Sequence, residues 1–192
     1  MTLVVSARNA AMDAVTIDSM SLHSGFPGET GANELSGSGY ARQTTSFNAS
    51  SGGVRTLATA ETFTVGAGQT VRWIGVWAAS TFRGYSPNGG SPQEFDVAIG
   101  TDVVTCRAHG FSDTNTIVFY GGTVPAGLTE GTIYYARDCT ADTFKVAATA
   151  GGAAIDLTGT GASDCVVSRI FEDAYAGADT HQITAFTIGA VS

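Results

Sequence analysis

Cys106 and His109, with two residues between them, have the spacing of half a zinc site, and Cys139 or Cys165 would have to complete it. Structural zinc sites bring paired ligands on two knuckles, and this spacing lacks the second pair. Free thiols packed as small apolar groups fit better, with His109 a hydrogen-bonded turn residue ahead of Gly110. Glu29, Asn33 and Glu34 offer oxygen ligands for calcium from a glycine-bearing loop, but without the Asp-rich periodicity of a calcium-binding loop. A solvated loop that orders itself or meets a neighbouring subunit suits those residues better.

Catalytic patterns are scarcer. There is no Gly-x-Ser-x-Gly elbow and no Gly-x-Gly-x-x-Gly turn, and His23, His109 and His181 lie in segments without an obvious nucleophile partner. Asp138, Asp142, Glu172 and Asp173 would make a glycosidase pair only if the fold set two of them at the right separation, and nothing in the pattern selects such a pair. The chain is therefore expected to be non-enzymatic, with no catalytic residue, no cofactor and no resident metal. Tyr40 and Arg42 share a strand face, either lining a sugar groove or, as their types favour, packing and pairing locally. Trp73 and Trp77 would stack on sugars if exposed, but on a strand apolar on both faces they read as core.

The elements that must position these residues are mostly strands. Of the 192 residues 43% are hydrophobic, which excludes a fully disordered chain, while only 14% are charged and 25 are glycine, a turn-rich β composition. Ser6 is the expected N-cap of one short helix over Ser6–Val15, with Ala7, Ala10, Ala11 and Ala14 at helical spacing. Thr16–His23, Tyr40–Phe47, Val54–Ala58, Glu61–Val65 and Val71–Trp77 then read as strands, the last of them central to a sheet. Gly84–Pro92 reads as a loop or hinge. Short strands restart over Phe95–Ile99, Val103–Arg107, Thr116–Phe119, Thr132–Arg137, Thr143–Ala147, Ala154–Leu157 and Cys165–Ile170, and Gln182–Ile188 is placed to return to the first sheet.

Charge and segment type narrow the partners. Seventeen acidic residues oppose nine basic ones for a net charge of -8, and Lys145 is the only lysine. So few scattered cations supply no counterion-release drive for nucleic acid and no attraction to an anionic membrane. The first residues turn polar too early for a signal peptide, and no apolar stretch approaches the roughly 20 residues of a membrane helix. Folding in the cytoplasm is expected, and three cysteines in such a chain disfavour a disulfide framework.

Leu22-His23-Ser24-Gly25-Phe26-Pro27-Gly28-Glu29-Thr30-Gly31-Ala32-Asn33-Glu34-Leu35, then Tyr40-Ala41-Arg42-Gln43, then Val71, Trp73, Gly75 and Trp77, resemble the words of a family of small virion structural proteins of tailed bacteriophages. The middle segment, with His109–Phe111, Pro125–Tyr135 and Asp142–Thr158, is similar to a β module inserted in many phage tail and capsid proteins. Phe26 departs from the acidic residue usual in the family before the loop proline. The resemblance implies a mainly β fold: a β-sandwich base (residues 1–95 plus 170–192) with one short N-terminal helix, interrupted by a small sandwich or barrel-like β domain at 96–169.

The function implied is a structural protein of the virion, assembled in the host cytoplasm, with the base as anchor and the insert projecting outward. Phe26, Pro27, Glu29, Asn33 and Glu34 are the expected contact with the virion or a neighbouring subunit; Phe119, Tyr120, Tyr134 and Tyr135 are the expected outward surface. A capsid decoration or minor capsid protein, bound to the major capsid protein as a homo-oligomer with a trimer favoured, is the leading expectation. A minor tail or tail-fibre-associated protein meeting a host surface glycan is the alternative.

Overall fold

The computed structural model describes residues 4–189, in two compact units: one takes the chain to Tyr85 and again from Asp173, the other is Ser86–Glu172. In chain order, α1 (Val5–Asp13) is followed by β1 (Ser19–His23), β2 (Gln43–Thr44), β3 (Val54–Thr56), β4 (Glu61–Val65), β5 (Thr70–Val71), β6 (Trp73–Ala78) and β7 (Thr81–Pro87). The second unit holds β8 (Asp96–Ala98), β9 (Val103–Thr105), β10 (Thr116–Tyr120), β11 (Ile133–Arg137), β12 (Thr143–Ala147) and β13 (Val166–Arg169). The chain then returns to the first unit with β14 (Asp173–Ala174), β15 (Asp179–Ile183) and β16 (Thr187–Gly189). The fold is mainly β with one short N-terminal helix, as expected.

In the first unit a four-stranded sheet of order β2-β1-β6-β7 is accompanied by the antiparallel pairs β4 with β15, β5 with β14 and β3 with β16. Strand alternation sends Met20 and Leu22 of β1 and Ile74 and Val76 of β6 to one face, where they meet Phe63, Val65 and Ile183 in a common core. Each of these fully buried apolar side chains contributes on the order of 1.5–3 kcal/mol. β6 is buried along its whole length, as a central strand should be.

Several elements depart from the sequence expectation for local reasons. The helix starts one residue early, behind Val4, with no side-chain cap at its N-terminus, and buries none of its residues. It is held instead by Asn9 Oδ1, which accepts the Gly53 N–H at 2.7 Å, and by Asp13 Oδ1, which accepts the Ser50 N–H at 2.8 Å. Of Tyr40–Phe47 only Gln43–Thr44 forms a strand, because beyond Met20 the Leu22 N–H donates to the Tyr40 hydroxyl (2.8 Å) in place of a neighbouring strand. Gly84–Pro87, expected as loop, completes β7, an edge strand where glycine and proline are tolerated. Ala154–Leu157 reduces to a single bridge between Ala154 and Ala147.

The second unit is one six-stranded antiparallel sheet of order β13-β10-β11-β12-β9-β8. Gln93, just ahead of β8, exchanges backbone hydrogen bonds with Val167 of β13 at 2.9 and 3.0 Å, a single bridge that brings the chain entering the last strand back to the first and curls the sheet into a barrel-like ring. The bridge occupies backbone groups of β13 at one point of the sheet's edge. Alternate residues fill the ring: Val104, Ile117, Phe119, Tyr134, Ala136, Phe144, Val146 and Val167 form its core. Residues 86–95 and 170–172, expected with the base, fall in this unit. The reason is that Asn88 O accepts the Phe171 N–H at 2.9 Å and Gln93 is part of the ring closure.

Candidate functional site

The second face of the four-stranded sheet carries the most concentrated set of polar and aromatic side chains. β1 and β6 pair with Ser21 opposite Gly75 and His23 opposite Trp73, which places Ser21, His23, Trp73, Gly75 and Trp77 on the side away from the core just described. A Cβ on Gly75 would stand 2.5 Å from both Ser21 Oγ and His23 Nε2, so the absent side chain is what makes room for the pair.

A chain of hydrogen bonds crosses this face. Trp77 Nε1–H donates to Ser21 Oγ at 2.7 Å, Ser21 Oγ lies 2.7 Å from His23 Nε2, and His23 Nδ1 lies 2.7 Å from the Ala32 carbonyl. A carbonyl oxygen only accepts, so the proton sits on Nδ1, and Nε2 of the neutral ring accepts from the serine hydroxyl. Burial disfavours the imidazolium and lowers the His23 pKa, outweighing the raising effects of the Ala32 carbonyl and Glu34; Arg42 lowers it further. Ser21 and His23 are 0% exposed, so a pairing that elsewhere prepares a nucleophile is here shut away from substrate. Its effect is to fasten a loop. No sequence motif marks a partner for His23, although the period of a strand puts Ser21, two residues earlier, on the same face.

That loop, residues 24–35, covers the aromatic face. Phe26 lies 5.1 Å from the ring centres of both Trp73 and Tyr85, and Pro27 is buried. Gly31, at φ 73°, lies so close that a Cβ would stand 2.6 Å from the Trp77 ring and 2.8 Å from Phe82. Asn33, at φ 59°, donates from Nδ2 to the Phe26 carbonyl at 2.8 Å. Glu34 accepts from Nε of Arg42 at 2.9 Å and from its Nη2 at 2.7 Å, and the Arg42 guanidinium lies 3.3 Å above the Trp77 ring centre. Tyr40 and Arg42 therefore pack and pair locally. Trp73 and Trp77 are 1% and 6% exposed, core residues as expected.

Of the five residues expected to contact the virion, Phe26, Pro27, Asn33 and Glu34 are engaged within the loop and its sheet, and Glu29 is exposed on a short 3-10 turn, Gly28–Thr30. Beside them runs a polar groove of about 340 Å³ lined by Ser24, Glu34, Ser36, Gln69, Thr70 and Arg72 among others. Arg72 Nη1 donates to the Ser24 carbonyl at 2.7 Å and Gln69 Nε2 to the Ser36 carbonyl at 2.8 Å, bonds that join the groove's walls.

The second unit corrects the expected outward surface. Phe119, Tyr120 and Tyr134 are 0%, 6% and 7% exposed, because β10 is buried on both faces after Thr116 and Tyr134 points into the ring; Tyr135 alone of the four is half-exposed. Cys106 Sγ donates to Gln93 Oε1 at 3.4 Å, and burial pushes its thiol up to about 11. Burial first, and then acidic neighbours, push Cys139 and Cys165 up to about 12. His109 Nδ1 accepts the Phe111 N–H at 2.8 Å, as a turn histidine does. Asp142 accepts the Ala108 N–H at 2.8 Å and Asp138 pairs with Arg137. Among the described residues no group of three or more His, Cys, Asp or Glu side chains is arranged to hold a metal ion. None of the helices there is long and apolar enough to cross a membrane.

Residues 4–90 match the family model described as podophage GP4 fiber I protein gp80, a span somewhat short of half the chain. The matched span contains the clasped loop, the Tyr40–Gln43 segment and β6. It supports a phage structural protein, a virion component, and at that level bears out the resemblance drawn from those words. No curated protein and no solved structure matches the chain.

Proposed function

We propose that this chain is a non-enzymatic structural component of a phage tail fibre, associated with tail components through its first unit and presenting its second unit outward. The observation that carries the reading is the match of residues 4–90 to a fibre protein family, which favours the tail alternative over capsid decoration. The folding of that span fits a mount: the loop and its sheet face are locked by hydrogen bonds and ring contacts, giving a rigid body with Glu29 and Thr30 left at its surface. The second unit, a filled sheet whose ends are bridged at Gln93 and Val167, suits a part that faces outward.

Assembly as a homo-oligomer, a trimer favoured, belongs to this proposal, because repetition turns weak single contacts into a firm attachment. Antibody-gold labelling of purified particles, with the copy number from quantitative mass spectrometry, tests it. Label at the tail with a handful of copies is expected; label over the head with hundreds of copies would return the protein to capsid decoration.

A further inference from the structure

Cations are scarce in this chain, yet two of its nine face each other directly. β11 and β12 pair in a register that sets Arg137 opposite Lys145 and Tyr135 opposite Ala147. Tyr134, Ala136, Phe144 and Val146 are buried in the ring, so Tyr135, Arg137 and Lys145 lie on its outer wall, each half-exposed. Like charges directly opposite on one sheet face are destabilising. In a chain of net charge -8 the two cations stand side by side with Asp138 the one carboxylate paired to either of them among the described residues.

The guanidinium is also held in place. Arg137 donates to the carbonyl of Gly152 through Nη1, and to Asp138 from Nε at 3.2 Å and from Nη2 at 3.3 Å. Asp138 is exposed and adjacent in sequence, so it screens the charge weakly. Lys145 has no ion-pair partner among the described residues. The turn carrying Gly152 stands beside this wall, and the Tyr135 ring lies on the same face, two residues before Arg137.

We propose that Tyr135, Arg137 and Lys145 form a binding site for an anionic saccharide, its carboxylate or phosphate between the two cations and a sugar ring against Tyr135. A planar guanidinium matches a carboxylate or phosphate fork, an ammonium adds a mobile charge, and an aromatic ring supplies a flat apolar face for pyranose C–H groups. The inference deepens the outward role given to the second unit and rests on the fibre reading only for where such a saccharide is met.

Calorimetric titration of the full chain tests it with four probes: a galacturonate hexamer, a sialic acid hexamer, a phosphorylated mannan oligomer and neutral maltohexaose. Binding of at least one anionic probe, weakened by salt and at least about tenfold tighter than maltohexaose, is expected. Which probe binds tells carboxylate from phosphate. Lys145→Gln and Tyr135→Ala should each weaken binding by about tenfold, and Asp138→Asn, which removes the competing carboxylate at a left-handed position that asparagine tolerates, should tighten it. Binding of none of the anionic probes, or equal binding by Lys145→Gln and Asp138→Asn, would overturn the site while leaving tail labelling of particles untouched. Label on the head would overturn the fibre reading without touching the titration.

Discussion

His23 Nδ1 lies 2.7 Å from the carbonyl oxygen of Ala32, nine positions ahead in the chain, and this bond, with the backbone bonds Ser24 N–H to Asn33 O and Leu35 N–H to Leu22 O at its base, closes a loop over the sheet face from which the histidine projects. Because Trp77 and Ser21 complete the chain of donors, the bond is the last link of a satisfied buried network. Such networks rigidify a fold when every member has its partner. The loop's shape then depends on residues that allow its close approach.

Gly31 is the first of these. Substitution to alanine adds a methyl group 2.6 Å from the Trp77 ring at a backbone φ of 73°. The left-handed conformation costs about 1–2 kcal/mol and the overpacking about 1–3 kcal/mol more. Gly28→Ala, at φ 54° with nothing within 4 Å of its Cβ, bears the backbone cost alone. Urea unfolding should rank Gly31→Ala well below Gly28→Ala; equal losses would contradict the close packing on Trp77.

Arg42 joins the loop to the same tryptophan from the other side. Arg42→Ala removes the forked pairing with Glu34 and the cation over the indole, an expected loss of about 1–3 kcal/mol. Arg42→Lys should recover little of it, since an ammonium cannot fork to a carboxylate and lie flat on a ring together. Denaturation midpoints give the energies, and a shift in tryptophan emission reports the uncovered indole.

The period-two pattern of the strands was readable in advance, and so were the central position of β6 and the core role of Trp73 and Trp77. Glu61–Val65 and Thr143–Ala147 carry clean alternation and fold over those residues. β7 escaped because Gly84 and Pro87 mark a turn in sequence but sit on an edge strand in space. The Ser21–His23–Ala32 chain was half legible, through the strand period, and half hidden, since its acceptor is a backbone carbonyl. The outward aromatic surface failed for a related reason. Phe119–Tyr120 and Tyr134–Tyr135 are consecutive pairs, so one member of each faces inward whichever side is the core, and β10 is covered on both faces, which the run of residues alone does not reveal.

Stability should fall on mild acidification. Burial depresses the pKa of His23 and His181 below the ordinary histidine value of about 6.5 that each regains on unfolding. As pH falls through 6.5 the unfolded chain takes up protons that the folded chain refuses, so stability present above that pH declines until the folded-state pKa is reached. Melting temperature measured at steps below pH 7 should drop, and the drop should shrink in a His23→Asn, His181→Gln double variant. An unchanged pH profile in that variant would exclude the two histidines as its source.

The buried aromatics of β10 separate stability from recognition. Phe119 is 0% and Tyr120 6% exposed, so Phe119→Ala should cost about 3–5 kcal/mol through lost burial and the cavity left behind, with Tyr120→Ala close to it. Tyr135 is half-exposed on the outer wall, and Tyr135→Ala should cost about 1 kcal/mol or less. A saccharide-binding defect in the β10 variants would accompany general unfolding of the second unit, seen as a lowered melting temperature and faster proteolysis between Ser86 and Glu172. In Tyr135→Ala it would appear with the melting temperature nearly unchanged. Should Phe119→Ala instead melt like the parent protein, the ring is not filled as described, and the separation of inner from outer residues falls with it.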